Sequence, residues 1–278
     1  MTALGRIILL LLAFTTQSAA ASAQAPRRIV SLAPSVTEVL FEIGAGDRVA
    51  GVTTYCVFPK AALGLPKVGG YLTPSYEALV GLAPDLVVVL PEHRDIEHRL
   101  AALGPPVLRV DHGSLDGIVD SLRTLGRRCG VDAGARVAAN ALRQRLEYAK
   151  RAAPANRPRV LLCFGRSADF RRMYAAARGT VHDDLLTYAG ADNALIAREV
   201  AYPTLSVESV MRLDPDVIVE FAPGAHDPDT RRQQWYRLGS LRAVKAGRVH
   251  IFTDSFLSVP GPRFVRFVET LARALHAR

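Results

Sequence analysis

The chain has 278 residues, of which 49% are hydrophobic and 22% charged, with a formal net charge of +9. Its length exceeds one ordinary domain and suits two lobes of about 100–130 residues each, and no low-complexity tract or disordered tail stands out. A basic surface can attract nucleic acid, anionic lipid or an acidic ligand; here the charges are scattered and not concentrated with aromatic residues, so nucleic acid is set aside and the charge is read as solubility with a basic cleft.

Arg6, the apolar residues 7–14 and the small residues Ala21-Ser22-Ala23 form a secretory signal pattern, which predicts cleavage near Ala23 and a soluble, exported protein. The apolar run is shorter than the ~20 residues of a membrane span. No Cys stands near the cleavage site, which argues against a lipid anchor.

Residues 28–32 read as a strand. Ser35 followed by Glu38 reads as a capping box, with Val36, Val39, Leu40 and Ile43 at helical spacing and a stop at residues 44–46. Residues 49–53 form a second strand. Ser75 opens a helix that closes before Pro84, and residues 86–90 and 107–110 are further strands. Strands alternating with short helices predict a parallel α/β sheet. Between residues 133 and 153 Ala138, Leu142, Leu146 and Ala149 recur at steps of four and three, and no Gly or Pro interrupts from 135 onward. This predicts one helix, about 30 Å long at 1.5 Å per residue, ending at Pro154. Residues 159–163 restart the alternation. A helix at 180–189 follows, then one beginning at Ser206, strands at 217–221 and 249–252, and a final helix at 262–277.

Residues 71–90 align without gaps on residues 202–221. Tyr71 meets Tyr202, Thr73 Thr204, Ser75 Ser206, Glu77 Glu208, and Pro84-Asp85 Pro215-Asp216. The interval is too wide for a solenoid, whose units run about 20–50 residues. It predicts two similar α/β lobes with mostly parallel sheets, residues 24–130 and 156–278, joined by one long rigid helix at 131–155. A cleft between such lobes is a preferred place for a ligand.

Cys56, Cys129 and Cys163 allow one disulfide with a leftover thiol, or three buried thiols. Their spacing suggests no metal cluster. His93 and His98 are five apart, which does not place two ligands on one helix face, and the other histidines are dispersed. No nucleotide-binding glycine motif, GxSxG or HExxH is present. Gly165-Arg166-Ser167 after a strand could suggest a secreted hydrolase, but no paired His is identifiable, and Asp183 and Asp184 are adjacent and point apart on a helix.

In order along the chain stand Arg28-Ile-Val-Ser-Leu-Ala-Pro-Ser35 with Thr37-Glu38, Val49-Ala-Gly-Val52, Pro66-Lys-Val-Gly-Gly70, Ser75-Tyr-Glu77 with Leu82-Ala-Pro-Asp85, and Ala189-Gly190 with Asn193. Ser206-Val-Glu208 with Leu213-Asp-Pro-Asp216, Ala243-Val-Lys-Ala-Gly-Arg-Val249 and Gly261-Pro-Arg263 follow. Together these resemble the exported substrate-binding proteins of bacterial ABC importers for cobalamin, ferric siderophores and haem. The resemblance implies a periplasmic monomer that is not an enzyme and has no cofactor of its own. Its partners would be a small-molecule ligand and an ABC permease dimer in the inner membrane, and the ligand would be a metal-containing macrocycle or chelate. Tyr55-Cys56-Val57-Phe58-Pro59 is most similar to the cobalamin-type receptors, with a ferric-siderophore or haem receptor as the alternative. Leu90 stands where the cobalamin member has Trp, so one aromatic wall is missing or replaced.

Ligands of parallel sheets sit outside the carboxyl ends of the strands. The candidate contacts there are Tyr55, Phe58, Tyr71, His93 and Arg94 in the first lobe. In the second they are Arg166, Phe170, Arg171, Arg172, Tyr174 and Tyr202, with Ser255 and Phe256 after the last strand. Aromatic rings suit a corrin or porphyrin face, and arginines suit carboxylate or phosphate. His93 or a Tyr could also serve as axial ligand to a metal macrocycle. Glu77 and Glu208 each start a repeated helix, where a carboxylate complements the helix dipole. The resemblance implies that this pair faces outward and meets arginines of the permease.

Overall fold

Apolar, mostly β-branched runs pair into two sheets in the computed structural model, which describes residues 24–197 and 199–276. The predicted export signal, residues 1–23, lies outside the described residues. The first sheet is built from β1 (Ile29–Ser31), α1 (Pro34–Glu42), β2 (Val49–Val52), α2 (Tyr76–Gly81), β3 (Leu86–Val89), α3 (Arg94–Leu103), β4 (Val107–Arg109) and α4 (Leu115–Cys129). Its strand order is β2-β1-β3-β4, parallel throughout, with Ile29 opposite Leu86 and Val87 opposite Val107. Helix α5 (Asp132–Ala152) then runs for 21 residues.

The second sheet follows as β5 (Arg159–Phe164), β6 (Tyr174–Ala175), α6 (Val181–Tyr188), β7 (Asp192–Asn193), α7 (Val207–Leu213), β8 (Val217–Phe221), α8 (Pro228–Tyr236), α9 (Arg242–Lys245) and β9 (Val249–Phe252). Its order is β6-β5-β8-β9, with β7 also on β5; only β6 is antiparallel. Helices α10 (Pro262–Arg266) and α11 (Val268–His276) close the chain. No described helix is long and apolar enough to cross a membrane.

Successive side chains of a strand face opposite ways, and each sheet uses both faces. Val30, Leu32, Val87 and Val89 pack outward on Leu79, Ile96 and Leu100. Leu161, Cys163 and Ile218 pack outward on Trp235 and Leu241. The inward residues Ile29, Leu86 and Val88 of one sheet and Val160, Leu162, Val217 and Val219 of the other belong to a single apolar cluster, filled between them by α1, α4, α5, α6, α10 and α11. On α5 this cluster buries Ala139, Leu142, Leu146 and Ala149, and each leucine contributes about 1.5–3 kcal/mol.

The repeat read from the sequence is a repeat of structure. Ala83 (φ 44°) and Asp214 (φ 37°) both take the left-handed conformation that ends their helices. At the start of each first strand an arginine reaches that helix end: Arg28 Nε donates to the Leu82 carbonyl at 2.7 Å, and an Arg159 guanidinium nitrogen to the Leu213 carbonyl at 3.1 Å. Asp85 and Asp216 then accept the backbone N–H of Arg28 and Arg159, each at 2.9 Å. The pairs stand at the same interval as Tyr71 and Tyr202.

Each lobe lends a carboxylate to the start of a helix in the other. Asp184 of α6 accepts the N–H of Leu115, the first residue of α4, at 3.1 Å. Glu38 of α1 is gripped by Arg263 in the first turn of α10 at 2.6 and 3.1 Å. Arg145 of α5 pairs with Glu269 of α11 at 2.9 Å, and Arg266 pairs with Glu42. A bridge helix welded into a common core leaves little freedom for hinge bending. Small-angle scattering is expected to show almost the same radius of gyration with and without ligand; a contraction of several ångströms would contradict this architecture.

Two expectations need correction. The capping box at Ser35 and Glu38 does not form. Pro34 takes the first helical position, which its missing N–H and fixed φ favour, so Ser35 lies inside α1. The final helix is two helices, with Phe267 at the break. Of the two readings open for the cysteines, the structure has the three buried, unpaired thiols.

Candidate functional site

The carboxyl ends of β5 and β8 in the second lobe raise a wall of rings. Phe164 ends β5 and pairs in register with Tyr174 of β6. The Tyr174 ring stacks on it at 6.1 Å and 22°, and the His182 ring at 5.6 Å and 24°. Tyr202 meets both Phe164 and His182 edge-on at 5.6 Å, and its hydroxyl lies 3.3 Å from His182 Nδ1. Phe221, Phe252, Phe264 and Phe267 support the wall from beneath with edge-to-face contacts. Among these rings burial pushes the His182 imidazole down to about 4, so it is neutral at pH 7 and acts as a flat polar ring. Burial likewise raises the Tyr202 phenol, and the charge of Glu92 in the other lobe adds to that rise. Tyr174 and Tyr202 keep 37% and 38% of their surface exposed.

In the first lobe the Tyr71 hydroxyl donates to Glu92, just beyond β3. Burial first, then this carboxylate, drives the Tyr71 phenol far upward. His93 lies edge-on to Tyr71 at 4.7 Å, and its Nδ1 accepts the Leu90 N–H at 3.1 Å. Burial lowers its imidazole. Tyr55 and Phe58 on the loop after β2 are 62% and 42% exposed.

Arg263 joins the two sides. Its guanidinium lies 3.8 Å over the Phe58 ring and 5.3 Å over Phe256, while its nitrogens hold Glu38 Oε1. Glu38 Oε2 is buried without a hydrogen-bond partner among the described residues. It lies where a side chain at Gly261 would come within 3.0 Å, which fits a glycine there. Burial is the largest influence on Glu38 and raises its carboxyl, with Arg263 opposing.

Most of the candidates named from the sequence fall at these strand ends. Tyr55, Phe58, Tyr71, Tyr174 and Tyr202 present rings, Phe256 is half-buried against Phe267 and Arg263, and Arg94, Arg171, Arg172 and Ser255 are exposed. Three have no free surface to offer. His93 is buried. Arg166 is buried in an ion pair with Glu220 at 3.0 Å, with its guanidinium over Phe170 and Trp235 at 4.5 and 5.3 Å. Phe170 packs edge-on against Trp235 at 4.9 Å. Glu220 also binds Arg231 Nε at 2.7 Å and the Trp235 indole N–H at 2.7 Å. This network organises the interior of the second lobe. Ser167, the one hydrolase-like serine, donates to Asp169 at 2.6 Å and has no histidine partner among the described residues. Phe164, His182, Glu92 and Arg263 were missed as site residues, although the strand-end rule would have admitted Phe164 and Glu92.

Among the described residues no group of three or more His, Cys, Asp or Glu side chains converges on a metal position. The strand ends instead offer ring faces, phenol hydroxyls and neutral imidazole, which suit a flat ligand bearing its own metal. On the outer surface, Ser75 and Ser206 cap α2 and α7 through N–H bonds of 3.2 and 3.3 Å. Glu77 and Glu208 stand exposed in the first turns of those helices. A hydrogen bond from Ser206 lowers the Glu208 carboxyl.

Comparison with known proteins adds a frame. A family model described as periplasmic binding protein matches residues 29–254. An ABC transporter substrate-binding lipoprotein of Bacillus subtilis is 28% identical over 260 residues, 90% of this chain and 80% of that protein. The periplasmic vitamin B12 binding protein of Vibrio cholerae superposes with a TM-score of 0.79 at 27% identity, covering 90% of this chain and 96% of that one. A periplasmic heme binding protein of Pseudomonas aeruginosa superposes with a TM-score of 0.75 at 28% identity, covering 90% and 93%.

Proposed function

The chain belongs to the periplasmic binding protein family and serves as the substrate-binding protein of an ABC importer, and from that premise we propose that it carries cobalamin or a related corrinoid in the cleft between its lobes. The observation that carries this reading is the ring wall of Tyr174, Phe164, His182 and Tyr202 at the strand ends of the second lobe, with Tyr55, Phe58 and Tyr71 presenting rings at those of the first. Stacked rings offer a large, stiff apolar face to a flat macrocycle, and the phenols and imidazole give its polar rim partners. The protein works outside the cytoplasm by binding and release, without catalysis. Haem or a ferric siderophore is the second reading, supported by the likeness to the Pseudomonas protein. Arg263 and Arg166, two cations of this region, are each already paired with a glutamate, which favours an amide-rimmed ligand over one that brings carboxylates.

Delivery to the permease falls to Glu77 and Glu208 in this proposal. Two like carboxylates, one per lobe and related by the repeat, match a partner made of two like subunits. Such surface charges set the register of docking more than its affinity.

Thermal unfolding of ligand-stripped protein tests the ligand. A ligand present at about 100 times its dissociation constant is expected to stabilise the fold by about 2.7 kcal/mol. Cobalamin should raise the melting temperature more than haemin or a ferric hydroxamate at equal concentration. If none of the three raises it, the macrocycle reading fails.

A further inference from the structure

We propose that Glu92 selects the charge of the ligand, turning away macrocycles that carry carboxylates and admitting neutral or cationic ones. The inference rests on the macrocycle reading above. Glu92 follows β3 at the carboxyl end of the first sheet and is exposed. Its hydrogen-bond partner is the Tyr71 hydroxyl, a neutral donor that fixes the carboxylate in place without cancelling its charge. Among the described residues it has no ion-pair partner. It thus stands beside the Tyr71 ring at the strand end outside which ligands of parallel sheets sit.

The cations that could offset it are engaged elsewhere or unpaired with it. Arg263 holds Glu38 and Arg166 holds Glu220. Arg94 and Arg172 are exposed, as Glu92 is, and neither forms an ion pair with it. A porphyrin dicarboxylate entering between Tyr71 and Tyr202 would place a like charge near a fixed one, and a repulsive element of this kind is how binding sites reject a close analogue. A corrinoid rim carries carboxamides instead, whose N–H groups can donate to Glu92. A cobinamide with water as axial ligand adds positive charge and should profit further.

The test compares full-length mature protein with Glu92→Gln, titrated by absorbance with haemin and with aquocobinamide. Gln retains an acceptor for the Tyr71 hydroxyl and removes only the charge. Two unit charges about 10 Å apart at an effective dielectric of about 20 change an equilibrium by about tenfold. Glu92→Gln is therefore expected to raise haemin affinity relative to aquocobinamide by about tenfold or more, and the wild-type preference should narrow as ionic strength rises. If wild type binds both ligands and Glu92→Gln leaves their affinity ratio unchanged, the selecting role is overturned while the macrocycle reading stands. If wild type binds neither, the macrocycle reading falls and takes this inference with it.

Discussion

Replacing Arg263 with Met is expected to destabilise the protein by about 3–5 kcal/mol, read as a lowered urea midpoint with an unchanged slope. Arg263 is the ion-pair partner of Glu38, a carboxylate that is only 4% exposed. The substitution would leave that charge buried and unpaired, and the penalty for such a charge exceeds the worth of the pair itself. It would also remove the guanidinium from the Phe58 ring. The pH dependence carries a sign that distinguishes this cause from lost packing. Burial already raises the Glu38 carboxyl above its ordinary value with Arg263 opposing, and without that opposition it rises further. A carboxyl whose folded pKa lies above its unfolded one costs nothing below the unfolded pKa, and its cost grows as pH rises toward the folded pKa. The variant should thus approach wild-type stability in mild acid and fall behind as pH increases. Adding Glu38→Gln should restore much of the loss at neutral pH. A uniform deficit at all pH values, unrelieved by the second change, would place the effect in packing.

The second large effect is on transport. Glu77→Ala with Glu208→Ala should leave ligand affinity unchanged and the melting temperature close to that of wild type, because both side chains are exposed. Loaded protein should nevertheless lose stimulation of the permease ATPase and ligand uptake in reconstituted vesicles. Reversal of both charges to Lys should be worse, since it would set like charges against any basic docking surface on the permease. Normal transport by the double Ala variant would reduce the pair to helix-start features. Loss of ligand binding would mean that these residues serve the cleft rather than the permease.

Much of the fold was legible because burial writes periodicity. Fully buried strands such as residues 86–89 read as unbroken apolar runs, and α5 shows its buried stripe without a Gly or Pro. Helix α4 escaped notice although it has a strong apolar face, because Gly117 and Gly126 look like breakers. Gly126 is instead a point of contact: a methyl group there would come within 2.2 Å of the Ala135 side chain, so its absence lets α4 and α5 approach. The candidate site was legible in part. Strand ends identified Tyr71, Tyr174 and Tyr202, but local reading cannot tell which way a strand-end side chain turns. Arg166 turned inward because Glu220, on a strand far along the chain, waits there. Arg263 was visible only as part of a family landmark, since its partners Glu38 and Phe58 come from the opposite end of the sequence.

The exchanged carboxylates also constrain how such a protein can be recombined. A crossover in the short stretch between α5 and β5 looks harmless, since it separates two complete sheets. It would nonetheless inherit Glu38 from one parent and Arg263 from the other, and likewise split Leu115 from Asp184. Chimaeras that trade ligand specificity by swapping a whole half must therefore carry compatible residues at both crossings. Grafts confined to the loops after β2, β3 and β5 avoid the problem, because they change the ring-bearing rim while leaving both exchanged contacts within one parent.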